Sequence, residues 1–361
     1  MIFLDYASTC PIVKYPQQLY RDTLGEGYFF NSNANYAYKE KRLLSEVENR
    51  VKKSIGAKGG KVIFGGTSSQ LIENLIHIIE HLCYRYDVLC SNYEHDSFFC
   101  YYDDLFGNMD ELKGCLQLTC NDTIPIVMWQ AVQNVTGEIF PTKQIGELVH
   151  QYHGFYICDG TAQIGHTPIE PNIDDWCDFW CCSGHKIGTE LGIGCCWVSD
   201  RLDKWLNGFK LHGTPNLAGA LAITQAVEDA CDKEQIQMQF DYLDELYWAL
   251  NSQLIENQID FRFVEKSGVW NFCPAINAIR LFGFNADALQ QFLASKQVYI
   301  SIGGSACAER HDYRILETGY DLTKQEANEV IRISFGQNST IEDIESLVKN
   351  ICEFKKIYLD G

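Results

Sequence analysis

Lys186 is the first residue of this sequence whose setting suggests chemistry. It stands in SGHKIG (183–188), after a Ser-x-His and before a glycine-containing stretch. A lysine buried beside a cationic or aromatic group has a lowered pKa, and its neutral amine can form a Schiff base with an aldehyde. Because most lysines are exposed, a surface turn explains this segment more simply until a second observation is added.

A carboxylate at the end of an apolar run supplies the second observation. Asp159 opens DGTAQ (159–163) directly after the run FYIC, so we expect it at the carboxyl end of a strand, where such sheets bind ligands. A carboxylate buried there needs a cationic partner, such as a protonated pyridine nitrogen. Gln163 could donate to the phenolic oxygen of the same ring. The alternative is that Asp159 caps the next helix.

The segment GGTSSQ (65–70) separates an apolar run from a helical pattern. Backbone N–H groups at a helix N-terminus bind phosphate, and the hydroxyls of Ser68 and Ser69 could add to that site. An ordinary N-cap at Ser68 or Ser69 is the alternative. The three segments together could hold the aldehyde, the ring nitrogen and the phosphate of one cofactor.

These segments belong to a longer series that runs along nearly the whole chain. The series is, in order, LDYAST (4–9), GGTSSQ (65–70), EHDS (94–97), QNVTG (133–137), DGTAQ (159–163), SGHK (183–186), HGTPN (212–216), GSAC (304–307) and IRISFG (331–336). It resembles the cysteine desulfurases of the NifS/IscS type, which are class V aminotransferases and pyridoxal 5'-phosphate (PLP) enzymes of fold type I. The series departs from that family at Thr67, Gln70 and Val135, where the family has a glycine, an acid and a glutamate.

The resemblance implies a role for each matching residue. Lys186 would carry the cofactor as a Schiff base and act as the catalytic base. Arg332 and Asn134 would bind the substrate, with the guanidinium on its carboxylate. The other cofactor contacts that it implies are Asp159 at the ring nitrogen, Gln163 and Asn134 at the ring oxygen, His95 stacked on the ring as a further catalytic residue, Ser68, Ser69, Ser183 and His185 at the phosphate, and Thr214 at the phosphate of the second subunit in a homodimer.

Cys307 matches the cysteine that carries a persulfide in this family. Gly303 and Gly304 give its segment backbone freedom, and Arg310 and His311 could favour its thiolate. The implied reaction converts L-cysteine to L-alanine, leaves the sulfur on Cys307, and passes it to an acceptor protein for iron–sulfur cluster assembly or nucleic-acid thiolation. Taken alone, Cys307 could be one more buried thiol.

Other functions stay open on the sequence alone. A selenocysteine lyase, another C–S lyase or an aminotransferase would use the same cofactor, and a pseudoenzyme would hold a partner protein without it. From a different class, HIIEH (77–81) fits the H-x-x-E-H pattern of zinc peptidases, with two histidines four residues apart on a helix. No obvious further ligand segment accompanies it, so no metal is expected.

Short apolar runs alternate with helical patterns from about residue 60 to 200, which indicates strands covered on both faces. The runs are 61–66, 87–92, 124–133, 155–160, 179–184 and 192–199. The runs indicate an α/β fold with a mostly parallel or mixed sheet flanked by helices, whose strand ends carry the chemical segments. The resemblance to the PLP enzymes of fold type I implies that this sheet is mostly parallel and seven-stranded. A long helix over 216–256 would lead to a smaller α+β domain. We therefore predict a PLP-binding domain over 15–240 and a small domain over 241–361 with 1–14.

Composition narrows the function further. The 361 residues include 29 Lys plus Arg against 48 Asp plus Glu, a formal net charge of −19 that argues against direct binding of nucleic acid. The 16 cysteines form no CxxC pair, so buried free thiols are expected rather than a zinc or disulfide framework. With neither a membrane-length apolar run nor a basic leader, the protein is expected in the cytoplasm, without a membrane partner.

Overall fold

The computed structural model describes residues 1–26, 37–82, 85–99, 101–119, 122–264, 271–303 and 313–360. Cys307 lies outside these residues, with Gly304, Arg310 and His311 of its segment. The chain forms two compact units. The small unit comprises Met1–Cys10, Val132–Ile139 and Gln237–Gly361, and the large unit comprises Pro11–Ala131 and Phe140–Ile236. The domain boundaries expected from the sequence, 15–240 and 241–361 with 1–14, stay a prediction.

The described residues form thirteen strands and twelve α-helices. The strands are β1 (Ile2–Phe3), β2 (Lys61–Gly65), β3 (Tyr86–Ser91), β4 (Asp104–Phe106), β5 (Ile124–Met128), β6 (Phe155–Asp159), β7 (Phe179–Ser183), β8 (Gly194–Val198), β9 (Phe261–Phe263), β10 (Ile276–Leu281), β11 (Val298–Tyr299), β12 (Ser301–Ile302) and β13 (Val330–Ser334). The helices are α1 (Lys14–Glu26), α2 (Tyr38–Ser54), α3 (Ser68–Glu80), α4 (Asp96–Phe99), α5 (Met109–Leu118), α6 (Thr142–Gln151), α7 (Asp200–Trp205), α8 (Leu217–Ala230), α9 (Lys233–Glu256), α10 (Ala286–Ser295), α11 (Lys324–Ala327) and α12 (Ile341–Tyr358). Within the described ranges, no helix has both the length and the apolar character needed to cross a membrane.

The large unit is built on one seven-stranded sheet with the order β2-β8-β7-β6-β5-β3-β4. Neighbouring strands are parallel except at β8, which runs antiparallel to β2 and to β7. Every residue of β6, β7 and β8 is buried, because their aromatic, β-branched and cysteine side chains pack against the surrounding helices. The predicted α/β fold with a mostly parallel, seven-stranded sheet is confirmed.

The small unit contains a four-stranded antiparallel sheet with the order β12-β13-β10-β9, and a separate parallel pair of β1 with β11. The N–H of Ser334, at the end of β13, donates to Leu4 O. The residues after β1 therefore lie beside β13, and the start of the chain is part of this unit.

The expectation of one long helix over 216–256 is wrong, because α8 and α9 share this stretch. Cys231 ends α8, where its N–H donates to Val227 O. The side chain of Asp232 then accepts a hydrogen bond from Gln235 N, which caps the first turn of α9. An aspartate, a strong N-cap residue, thus divides the helical pattern.

Buried free thiols are confirmed among the cysteines that the structure describes. Twelve are described, all of them free, and eight of these are buried. Burial raises the pKa of Cys231 and of Cys273 to about 12, and raises the pKa of Cys181 and of Cys196 well above the ordinary thiol value. These four thiols are therefore protonated and weak nucleophiles at neutral pH.

A buried ionic network connects the amino-terminal end of β6 to that of β7. Asp178, just before β7, is 1% exposed, and it accepts hydrogen bonds from His150 Nε2 at 2.9 Å and from Arg201 Nη2 at 2.6 Å. Its other bonds come from Arg201 Nε, from Ser199 Oγ and from Tyr156 N in β6, each at 3.0 Å. Burial alone would raise the pKa of Asp178, but the bonds from His150 and Arg201 outweigh it and hold this pKa below its ordinary value.

Replacing Asp178 with asparagine should lower the free energy of unfolding by about 2 to 4 kcal/mol, because Arg201 loses its charged partner. We expect a smaller loss of unfolding free energy than for a fully buried ion pair, because the Arg201 side chain is 42% exposed. The loss should shrink as the pH falls below about 3.9, since protonation of the wild-type carboxyl then removes the same interaction. Urea unfolding at about pH 7 and about pH 3 measures both effects. Exposed Asp175→Asn is the control, and an unchanged midpoint for Asp178→Asn at neutral pH would contradict the prediction.

Candidate active site

The candidate nucleophile and the candidate ring-binding carboxylate lie on neighbouring strand ends of the large unit. Asp159 ends β6 and pairs in register with Cys181 of β7. After β7, the residues Gly184–Lys186 form a 3-10 turn whose first N–H donates to Ile193 O. Because β6 and β7 are parallel, Asp159 and Lys186 both lie at the carboxyl edge of the sheet, where ligands bind in this class of fold.

Asp159 is 8% exposed, and its Oδ1 accepts a hydrogen bond from Thr161 N at 2.9 Å. This local turn agrees with the capping alternative, but it uses only one carboxylate oxygen. No basic side chain forms an ion pair with Asp159 in the part of the chain that the structure describes. The backbone after Asp159 packs directly on the indole of Trp180. Gly160 permits this contact, because a Cβ at this position would lie 2.1 Å from Trp180 Nε1. A cationic group of a ligand would balance this buried carboxylate.

Two serines join the first turn of α3 to the end of β7. Thr67 caps α3 by accepting a hydrogen bond from Gln70 N, so the capping alternative at Ser68 or Ser69 is wrong. The N–H of Ser68 donates to Ser183 Oγ at 3.0 Å, and the two hydroxyl oxygens lie 2.8 Å apart. Hydroxyls and helix N–H groups are thus gathered at one place, which suits an anion.

Two histidines near Lys186 are neutral at neutral pH. Burial and the positive charge of Lys186 lower the pKa of His185 and of His166 to about 4. Among the described residues, His166 Nδ1 and Gln163 Oε1 are buried without a hydrogen-bond partner. Gln163 Nε2 donates to Pro168 O at 3.2 Å, and turning the amide group over would leave Nε2 as the donor for a phenolic oxygen. The carboxylate of Asp159, with the hydroxyls and N–H groups beside Ser68, fits PLP, which brings a cationic ring nitrogen and a phosphate.

His95 lies between β3 and α4, and its Nδ1 accepts a hydrogen bond from Ser97 N at 3.2 Å, which orients the ring. The preceding residue, Glu94, is fully buried. Its Oε1 accepts from Ser91 Oγ at 2.9 Å and from Gln130 N at 2.6 Å. Glu94 therefore ties the segment of His95 to the residues that follow β5.

Glu94→Gln should remove one contribution to the pH dependence of stability, the fall that Glu94 causes as the pH rises. Burial raises the pKa of Glu94 to about 8, and the charge of Asp159 adds to the rise. Between about pH 4.3 and this value Glu94 holds one proton more in the folded protein than in the unfolded chain, so its contribution to stability falls as pH rises, by at most about 1.4 kcal/mol per pH unit. Glutamine has no such proton to lose. Urea unfolding across this window compares the variant with the wild type and with exposed Glu73→Gln, and equal slopes for all three would contradict the prediction.

Two further predicted phosphate contacts are less enclosed. Ser69 is half-buried in the first turn of α3, and Thr214 is exposed in the loop before α8. Exposure is what a contact with a second subunit requires. The role of Thr214 across a dimer stays a prediction.

Arg332 and Asn134 belong to the small unit, where they contact each other. Arg332, in the middle of β13, is 0% exposed, and its Nη1 donates to Asn134 O at 3.0 Å. Its Nη2 donates to Asp5 Oδ1 at 2.9 Å and to the hydroxyls of Ser8 and Ser301. The structure thus brings the predicted substrate-binding pair together, with the guanidinium already held by a carboxylate.

Sequence reasoning missed the partners of these side chains. Asp5 stands in LDYAST as one motif position among several, and Glu94 stands beside His95 in EHDS. An acidic residue within an apolar N-terminal run was the available signal for Asp5, because such a carboxylate is buried only with a cation. Its partner, Arg332, lies 327 residues later and could not be identified from spacing.

The HIIEH segment does not support a zinc site. The side chains of His77 and Glu80 are 71% and 49% exposed, and His81 Nδ1 lies 2.7 Å from the backbone oxygen of His77. Across the described ranges, no three metal-ligating side chains come together. The zinc-peptidase alternative therefore has no structural support.

Comparison with known proteins indicates one family. The family model for Aminotransferase class-V matches residues 2–347. A protein of Bacillus subtilis named "Putative cysteine desulfurase IscS 1" is 24% identical over 388 residues, and the match covers 98% of each chain. The protein "Cysteine desulfurase IscS" of Dictyoglomus turgidum is 28% identical, over 64% of this chain and 65% of its own length.

A solved structure shares the fold. The NifS-like protein of Rickettsia africae aligns with a TM-score of 0.84 at 19% identity, over 99% of this chain and 100% of that one. The resemblance to the NifS/IscS type is confirmed. Since the family model spans nearly the whole chain, this protein belongs to the aminotransferase class-V family, PLP-dependent enzymes that include the cysteine desulfurases.

Proposed function

We propose that this protein is a cysteine desulfurase that converts L-cysteine to L-alanine and keeps the sulfur as a persulfide on Cys307. The observation that carries the proposal is the placement of Asp159 and Lys186 on adjacent strand ends of one sheet. A lysine and an aspartate alone would serve any PLP enzyme. The names of the relatives and the segment GSAC (304–307) favour sulfur chemistry.

PLP, when bound, supplies an electron sink for the substrate α-carbon. Asp159 would keep the ring nitrogen protonated, and Gln163 and Asn134 would donate to the ring oxygen. His95, oriented by its bond from Ser97 N, would stack on the ring. The phosphate would be held by Ser68, Ser69, Ser183 and His185, together with Thr214 of the second subunit of a homodimer.

Two side chains would handle the substrate's α-carbon and carboxylate. Lys186 would take the α-proton as the general base. Arg332, buried and fixed by hydrogen bonds, would bind the carboxylate with Asn134 beside it. Because His185 is neutral at neutral pH, it can donate to a phosphate oxygen as a neutral imidazole.

Cys307 would attack the substrate sulfur as a thiolate, which Arg310 and His311 would favour. A sulfur–sulfur bond forms on Cys307 while the carbon–sulfur bond of the substrate breaks, and protonation of the carbon gives alanine. An acceptor protein in the cytoplasm would take the sulfur for iron–sulfur cluster assembly or nucleic-acid thiolation. The net charge of −19 favours an acceptor with a basic face.

Sulfide and alanine, measured together, test this function. Purified protein is incubated with L-cysteine and dithiothreitol, and we expect a yellow protein that releases both products in equal amounts. A yellow protein that forms neither would move the reaction to another substrate, such as selenocysteine. A colourless protein would favour the pseudoenzyme.

A further inference from the structure

The guanidinium of Arg332 is held by three side chains to which the family resemblance assigns no role. Asp5 Oδ1 accepts hydrogen bonds from Arg332 Nη2 at 2.9 Å, from Ser8 Oγ at 2.8 Å and from Ser301 Oγ at 2.9 Å. Arg332 Nη2 also lies 2.5 Å from Ser8 Oγ and 3.1 Å from Ser301 Oγ. We call this group of side chains, Asp5, Ser8 and Ser301, the Asp5 cradle.

The topology of the small unit places this cradle. Ser301 is the cross-strand neighbour of Arg332 in the pair of β12 with β13. Asp5 forms a parallel β-bridge with Ser334, two residues after Arg332, because β1 pairs with β11 and the chain then continues along β13. The cradle therefore reaches Arg332 from two directions, the N-terminal segment and the adjacent strand.

The cradle occupies one side of the guanidinium and leaves another donor for a ligand. Nη1 donates to Asn134 O, and Nη2 is taken by the cradle. Nε is buried without a hydrogen-bond partner among the described residues. A buried N–H without an acceptor is costly, so this edge favours an oxygen from a ligand.

We infer that Asp5 is a positioning residue for carboxylate recognition, which, with Ser8 and Ser301, fixes Arg332 so that its Nε edge meets the single carboxylate of an amino acid. The inference rests on the proposed function, in which Arg332 binds the substrate. Asp5 acts through Arg332 and does not itself touch the substrate.

Asp5→Asn tests the inference, because asparagine keeps the size and an acceptor oxygen but loses the charge. We expect the KM for L-cysteine to rise about tenfold or more and kcat to change by less than about threefold, since positioning is lost while the reacting groups remain. Cysteamine, which is cysteine without its carboxylate, should inhibit the variant and the wild type equally. Ser301→Ala should raise the KM for L-cysteine less than Asp5→Asn does. Exposed Asp260→Asn should leave this KM unchanged.

Two results would overturn the inference. A lower KM in Asp5→Asn would mean that Asp5 competes with the substrate carboxylate, and equal losses for L-cysteine and cysteamine would mean a general structural defect. If Asp5→Asn does not fold, Ser8→Ala and Ser301→Ala carry the same comparison.

Failure of the proposed function is distinguishable from failure of the inference. In that case the wild type releases no sulfide, and calorimetric binding of L-alanine to the cofactor-loaded protein replaces the kinetic test. Binding by the wild type that weakens about tenfold in Asp5→Asn supports the cradle even without desulfurase activity. Equal binding by both proteins, or none by the wild type, overturns it.

Discussion

Lys186→Ala is expected to abolish covalent attachment of PLP and to lower sulfide formation by at least about 10³-fold. Lys186 ends the 3-10 turn that follows β7, and the backbone bond from Gly184 N to Ile193 O holds this turn without the lysine side chain. The substitution therefore removes the nucleophile and the general base while the turn is kept. The loss should be chemical rather than structural.

Trapping and folding measurements separate these causes. Borohydride reduction followed by mass spectrometry should locate the cofactor on the peptide of Lys186 in the wild type and on no peptide of the variant. With the cofactor removed from both proteins, the urea midpoint of Lys186→Ala should match that of exposed Lys204→Ala, the control. A Lys186→Ala protein that still traps the cofactor covalently would assign the nucleophile to another lysine.

The sheet could be predicted because its strands are apolar throughout. The runs 155–160 and 179–184 became β6 and β7 with their boundaries nearly unchanged. Strand direction could not be predicted in this way, since β8 is as apolar as β7 and yet runs antiparallel to it. β4 was missed because its three residues begin with an exposed aspartate and carry too little apolar pattern.

The placement of the candidate site residues could be predicted where it depends on strand ends, and not where it depends on pairing between distant segments. Asp159 and Lys186 follow apolar runs, and this position alone made them candidates. The Ser68–Ser183 bond joins residues 115 positions apart, and its geometry follows from strand order, which periodicity does not give. The N-cap of α3 was misplaced by one or two residues because serine and threonine are both N-cap residues, and the extended backbone of Thr67 decides between them.

The other large effect is expected from Cys307→Ser, which should keep the yellow cofactor and lower the release of sulfide and alanine by at least about 10²-fold. A hydroxyl ionises far less readily than a thiol, so serine supplies no comparable nucleophile at neutral pH. Among the described residues, the thiols of Cys10 and Cys231 do not replace it, because burial raises the pKa of Cys10 to about 11 and of Cys231 to about 12.

Sulfur carried by the protein is the decisive readout for Cys307. Wild-type protein treated with L-cysteine without reductant should gain one sulfur atom on the peptide of Cys307, and half-buried Cys115→Ser, the matched control, should gain it equally. Lys186→Ala should lose the covalent attachment of the cofactor as well as the products, whereas Cys307→Ser should lose only the products. The pair of variants therefore separates the base from the sulfur carrier. A Cys307→Ser protein that releases sulfide and alanine at the wild-type rate would contradict the prediction, because the sulfur would then pass from the substrate to the reductant without a protein thiol.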